Sequence, residues 1–240
     1  MSPPLDTSGL PGYPGLVQSI RSGERGAELL KSALEKAREA PGSTKGRILA
    51  AAEEVFAARG FQGASTREIA ARAGVNISSL HYHWESKERL YFAVFRNVYD
   101  QIVHLLRNTL SPLLAQQSRR DVAIDIAMRQ LFDFFADHPN VPKLLMRRIV
   151  ENEEIDVGIE RDILVPAWGV FSDWLGQLGR RPFSDDESRL FMLSVHSVLL
   201  VYLLDSRPYQ SLLGGSVRQG PLRDSVRRHV IHLVERLLAT

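Results

Sequence analysis

The sequence predicts an all-α fold, a small three-helix unit followed by a larger helical domain, and three observations carry that prediction. From residue 43 almost to the end, apolar residues recur at three- and four-residue spacings, with no run of strict alternation long enough for a strand. Two helix starts carry the Ser-x-x-Glu capping signature, Ser65 with Glu68 and Ser184 with Glu187. Two short apolar patterns are joined only by Gly74, Val75 and Asn76, the length of a tight turn between helices.

Composition bounds what such a chain does. Its 240 residues are 44% hydrophobic, enough to bury one large core or two modest ones. Without cysteine there is no disulfide framework, thiolate metal site or cysteine nucleophile, and a reducing, cytoplasmic setting is expected. The opening, MSPPLDTSGLPGYPGL, lacks the basic region and apolar run of a secretory signal. The longest apolar stretch, Leu190 to Leu204, is interrupted by Ser194, His196 and Ser197 and falls short of the ~20 apolar residues of a membrane helix, so no membrane association is expected. A net charge of +2 permits a polyanionic partner without demanding one.

Residues 1–42 hold 6 of the 17 Gly and 5 of the 12 Pro and read as a flexible N-terminal extension. A short helix across 25–40 has Leu30 and Leu34 on one side and Lys31 four residues before Glu35, but its stripe is thin, which predicts a frayed or partner-dependent helix.

Residues 43–88 form the small unit. Ile48, Leu49, Ala52, Val55 and Phe56 share one face of a first helix, with Gly60 as its left-handed stop. A second helix starts at the Ser65 cap, turns Ile69, Ala70 and Ala73 inward, and ends at Gly74, where a positive φ is needed. Asn76 caps a third, and Val75 and Leu80 fold back onto the first pair. This is a helix-turn-helix, whose second helix lies in the major groove of double-stranded DNA while the first crosses the backbone. Ser78 and Ser79 open the groove helix and are small enough to approach base edges; His81, Tyr82 and His83 lie toward its far end, within reach of phosphates. Thr66 and Arg67, at the start of the second helix, and Lys87, beyond the following turn, complete the candidate DNA contacts. Trp84 reads as a core wedge instead. Charge supports the reading only weakly, with seven Lys or Arg against five Glu across residues 43–89. His81 and His83 project about 200° apart on a helix and are poorly placed to share an ion.

The segment RILAAAEEVFAARGFQGASTREIAARAGVNISSLHYHWESKERLYFAVF resembles the N-terminal domain of the TetR/AcrR family of bacterial transcriptional regulators across nearly all of residues 45–95. The resemblance rests on the Ala-Ala-x-x-x-Phe first helix with Arg59 and Gly60, on Thr66, Arg67, Ile69, Ala70, Ala73, Gly74 and Val75, on Leu80, Tyr82 and His83, and on Ser86-Lys87-Glu88. It implies a homodimer, mostly a repressor, with a C-terminal helical domain that binds a small-molecule effector, and DNA contacts at Thr66, Arg67, Ser78, Ser79, Tyr82, His83 and Lys87. His81 stands where the family commonly has tyrosine, and Trp84 where it has phenylalanine.

Residues 89–240 read as the effector-binding and dimerisation domain. Leu90, Val94, Phe95, Val98, Ile102, Leu105 and Leu106 make one face of a long helix that is expected to halt near Ser111 and Pro112 and to act as the lever between domains. Ala127, Leu131, Phe134 and Phe135 form another face; Asn140 is a helix cap, and ENEEID is an acidic bend without metal-ligand spacing. Pro166 is expected to kink or restart its helix. Trp168, Phe171 and Trp174, with Tyr99, Met128 and His196, are the candidate ligand-pocket residues, core packing being the ordinary fate of such side chains. The helix after Ser184 is apolar on every side, which requires cover from its own core and from a second chain. The last helix supplies a partner stripe, giving Val195, Val198, Tyr202, Val226, Val230 and Val234 as candidate dimer contacts with Arg223, Arg227, Arg228 and Arg236 solvated at the rim. A two-fold dimer places two recognition helices on a pseudo-palindrome. An enzyme is disfavoured: there is no phosphate-binding glycine loop or HExxH, and Asp100 with His104 is as easily a surface pair. No metal or cofactor is expected. A ligand-independent architectural DNA binder is the nearer alternative.

Overall fold

The computed structural model describes residues 32–115, 119–151, 158–178 and 183–239, and every regular element among them is helical. A helix at 32–39 (α1) is followed by α2 (Thr44–Gly63), α3 (Thr66–Ala73), α4 (Ile77–Trp84), α5 (Lys87–Ala115), α6 (Arg120–Asp137), α7 (Asn140–Glu151), α8 (Val165–Leu178), α9 (Asp185–Leu203), α10 (Arg207–Leu213) and α11 (Gly220–Ala239). Helix α2 packs on α3, α4 and α5, and α4 also meets α5. Helix α5 packs with α6 and α8, α6 with α8, α9 and α11, α9 with α8 and α11, and α7 lies against α2 and α9.

The small unit follows the local signals closely. Ser43 Oγ accepts from Gly46 N and starts α2, which breaks at Gly60 (φ 70°) and resumes for one turn. Ser65 Oγ accepts from Glu68 N at 3.1 Å, yet Glu68 does not complete the reciprocal box; its carboxylate lies 3.6 Å from Arg59 instead. The Ser184–Glu187 box closes in both directions.

Several expectations are corrected. The helix of 32–39 is not frayed: Ala33, Leu34 and Ala37 are buried, and Arg38 reaches α5 to pair with Asp100 at 2.8 Å and bond Asn97. Its stripe is thin because two alanines suffice where helices approach closely. Helix α5 runs through Pro112 to Ala115, because a proline in the last turn removes one hydrogen bond without meeting a further turn of helix. At 29 residues α5 is about 43 Å long. Pro166, in contrast, stands at the expected restart: α8 begins at Val165 directly after a π-helical turn (Glu160–Leu164), an irregularity of the kind that accompanies a proline inside a helical stretch. Arg223 and Arg227 are not rim residues: both bind Asp133 of α6, at 2.7 and 2.9 Å, and Arg223 also binds Asp137. The ENEEID bend lies outside the described residues except for its first.

One clamp joins the units beyond the continuity of α5, and a second ties α5 down within the larger unit. Arg147 of α7 donates to the Ala57 and Ala58 carbonyls of α2 at 2.9 and 2.7 Å, and Arg96 of α5 donates to the Asp162 carbonyl at 2.6 Å.

The asymmetric cap at α3 is testable. Ser65→Ala removes the only cap bond at the start of α3 and lowers the unfolding free energy by about 1 kcal/mol. Glu68→Ala removes an exposed ion pair and costs no more than about 0.5 kcal/mol. Urea denaturation of both variants measures the difference; equal losses mean that Glu68 closes the box in solution.

Candidate nucleic-acid interface and ligand cavity

The turn between α3 and α4 is set by two residues. Gly74 adopts φ 65° and ψ 39°, and its N–H and that of Val75 return to carbonyls at the end of α3. Asn76 Oδ1 then accepts from Ser79 N at 2.7 Å and starts α4. Leu80 and Trp84, one turn apart, are fully buried and hold one face of α4 against the unit's core. The opposite face is therefore outward: Ile77, Ser78 and His81 are exposed, and Tyr82 is 83% exposed.

The candidate contacts divide on closer inspection. Ser78, His81, Tyr82 and, on α3, Arg67 are exposed, while Thr66, Ser79, His83 and Lys87 are half-buried. His81 Nδ1 donates to the Glu85 carbonyl at 3.1 Å, which ties the ring to the end of its own helix. Burial, then the nearby Lys45 ammonium, lowers the His83 pKa, so this ring stays neutral. Its Nδ1 is buried without a partner, and Tyr82 packs edge-on against it at 5.0 Å. Lys87, expected as a phosphate contact, also has partners within the chain. Its ammonium donates to the Phe61 and Ala64 carbonyls at 3.0 and 3.1 Å and lies over the Phe61 ring, leaving one of three donors for DNA. Sequence reading missed Lys45 and Arg47 at the start of α2. Lys45 is close enough to influence His83, and the exposed Arg47 guanidinium stands beside Gly74 at the turn. The signal was Lys-x-Arg directly after the Ser43 cap, on the polar side of a helix read only for its apolar face.

All six candidate ligand residues, Tyr99, Met128, Trp168, Phe171, Trp174 and His196, line one cavity of about 130 Å³ between α5, α6, α8, α9 and α11. Ile102, Leu106, Leu131, Phe135 and Leu199 complete much of its wall; they had been read as core. Among the described residues no Asp, Glu, Lys or Arg lines it. Burial, then the Glu160 carboxylate, pushes the Tyr99 hydroxyl far above the ordinary tyrosine range, so it remains a donor. Burial lowers the His196 pKa, so the ring is held neutral, and its Nε2 is enclosed without a hydrogen-bond partner.

The candidate dimer contacts are redistributed. Val195, Val226, Val230 and Val234 are buried within the chain, Val230 completely, so the stripe on α11 closes its own core. Val198 and Tyr202 are half-buried, with Tyr202 packed against the His229 ring. The outward stripe of α9 is instead Leu190, Leu193, Ser197 and Val201, with Leu190 64% exposed. Asp100 and His104 do not pair: Asp100 binds Arg38, and His104 Nε2 meets Asn108.

Residues 48–94 match the family described as bacterial regulatory proteins, tetR family. The transcriptional activator FasR of Mycolicibacterium smegmatis is 38% identical over 90 residues, which span 38% of this chain and 39% of FasR. Among solved structures, the TetR family regulator PfmR of Thermus thermophilus superimposes with a TM-score of 0.57 at 16% identity, over 80% of this chain and 97% of that one. FadR of Bacillus subtilis, solved in complex with stearoyl-CoA, gives 0.57 at 15% identity over 78% and 96%. The segment that matches the tetR family is the one that builds the turn, the two caps and the exposed face of α4, and the described remainder of the chain shares the helical architecture of these solved structures.

Proposed function

We propose that the chain is a homodimeric transcriptional repressor that reads a pseudo-palindromic operator and is released from it by a small molecule held in the cavity. The observation that carries this reading is the exposed face of α4, Ser78, His81 and Tyr82, set on a helix anchored by Leu80 and Trp84. A rigid helix with one polar face free is what major-groove entry requires. Ser78 lies where base edges are read; Arg67, Tyr82, Lys45 and Arg47 lie where phosphates pass. The mechanism is a population shift: ligand that prefers the dimer with its recognition helices at the wrong separation reduces operator affinity by that preference and no more. The stearoyl-CoA complex of FadR, which shares this fold, supports a ligand-responsive reading, and the apolar cavity argues against a ligand-independent architectural protein. Activation is the second reading, favoured by the name of the relative FasR; a reporter fused to the selected operator, read with and without the regulator, gives the sign.

The interface proposed for the dimer is the outward face of α9. Leu190, Leu193, Ser197 and Val201 stand at intervals of three and four residues, and an exposed apolar helix face of this kind calls for cover.

Two outcomes follow. Arg67→Ala weakens binding to all DNA sequences alike and lowers the salt slope by about 1, whereas Ser78→Ala relaxes preference at one base position with little change in slope. Fluorescence anisotropy on selected and scrambled duplexes at several salt concentrations separates them, and unchanged binding by both variants removes these residues from the interface. In sedimentation experiments Leu193→Glu yields a folded monomer with weak operator binding, while Val230→Glu, which buries a charge in the chain's own core, loses the fold itself. A Leu193→Glu protein that remains a dimer places the interface elsewhere.

A further inference from the structure

The cavity is a slot rather than a chamber. Along α5 its wall runs from Tyr99 to Leu110, about 16 Å of helix. Along α6 it runs from Ile124 to Phe135 over the same length. A volume of about 130 Å³ is close to that of a cavity that admits one benzene ring. Its lining extends over three turns of both helices, which favours an extended molecule over a compact one. Trp168, 38% exposed, stands at the solvent side of this wall.

The polar content of the slot is sparse and uncharged. Among the described residues, and apart from the two indoles, the polar side chains of its lining are those of Tyr99 and His196. Among the described residues no basic side chain lines the slot to receive a carboxylate or a phosphate, and burial keeps the His196 ring neutral. An anion placed there loses its hydration without gaining a counter-charge. His196 Nε2, in contrast, is enclosed and unpartnered, a position that a ligand oxygen relieves.

We propose that the slot takes an unbranched aliphatic molecule of medium chain length bearing one uncharged oxygen, and that His196 Nε2 is the hydrogen-bond partner of that oxygen. The assignment rests on the cavity being the effector site and adds the chemical class of the effector and the residue that selects it.

The test uses the full-length chain and three probes, 1-octanol, octanoate and 2-naphthol, followed by titration calorimetry. 1-Octanol binds at least tenfold more tightly than octanoate and more tightly than 2-naphthol. His196→Leu loses about tenfold in 1-octanol affinity while its thermal midpoint is unchanged or higher, and His196→Gln retains most of the affinity. In the wild-type protein, the imidazole Nε2 resonance in nitrogen-15 spectra shifts on addition of 1-octanol, a readout independent of whether any variant folds. Octanoate binding as tightly as 1-octanol, preference for 2-naphthol, or a stationary Nε2 resonance overturns the assignment. Operator binding is measured in parallel. Loss of 1-octanol binding with operator binding intact overturns the ligand class alone. Normal 1-octanol binding with operator affinity unmoved supports the ligand class and sinks the effector reading.

Discussion

The contact on which the rest of the molecule depends is the cluster of rings around Tyr91. Phe56, Phe61 and Phe95 each meet it edge-on, at 4.9, 5.0 and 4.9 Å between centroids, and all four side chains are buried. The rings come from both sides of the break at Gly60 and from the first turns of α5, so the cluster fixes where α2 ends, where α3 begins and how α5 leaves the small unit. The positive φ of Gly60 turns Phe61 back into the cluster, and Lys87 closes the arrangement from above the Phe61 ring. Because α5 continues unbroken from these rings to the wall of the cavity, the orientation of α4 and the shape of the slot are referred to one rigid element.

Legibility in the sequence follows the range of the interaction that decides each feature. Caps, the Gly74 turn and the inward residues Leu80 and Trp84 are decided within a few residues, and they stand where the pattern places them. The six pocket residues were readable as large or polar side chains on apolar faces, although their convergence on one cavity was not. The dimer stripe misled because α9 carries two apolar stripes and periodicity alone does not say which of them faces the chain's own core. Val195 belongs to the inner stripe and Leu193 to the outer, two residues away. The intrachain partners of Lys87 were hidden for a similar reason: they are backbone carbonyls at Phe61 and Ala64, which no side-chain pattern announces. The role of α1 was hidden because Arg38 finds Asn97 and Asp100 some sixty positions along the chain.

Helix α7 gives the two units a second connection, and its residues show how short that connection is. Leu145 is part of the cavity wall, and Arg147, two positions on, holds the carbonyls of Ala57 and Ala58 just before the Gly60 break. Bonds from a guanidinium to carbonyls are charge-assisted and directional, so α2 resists sliding relative to α7. Ligand that displaces the α7 side of the slot therefore acts on the same helix whose end the ring cluster fixes. Two elements, α5 and α7, bear on the small unit from different sides, which favours rotation of that unit as a body over local distortion of its core.

The size of the slot limits how the switch is balanced. Moving a two-state equilibrium from 1:99 to 99:1 takes about 5.5 kcal/mol of differential affinity. A ligand of about nine heavy atoms, at a binding efficiency of ~0.6 kcal/mol per atom in the lower half of the range of ~0.3 to ~1.5, supplies roughly that much in total and only part of it differentially. One such molecule therefore has little authority over a strongly biased protein. In the proposed two-fold dimer, two sites would double the available preference, since both chains would change together. A slot this small would thus suit a dimer whose two arrangements are nearly balanced before ligand arrives. In that setting an enclosed, unpartnered nitrogen such as His196 Nε2 has a thermodynamic use: it destabilises the empty arrangement by about 1 to 3 kcal/mol, a cost that the correct ligand removes and that an apolar molecule of the same shape leaves in place.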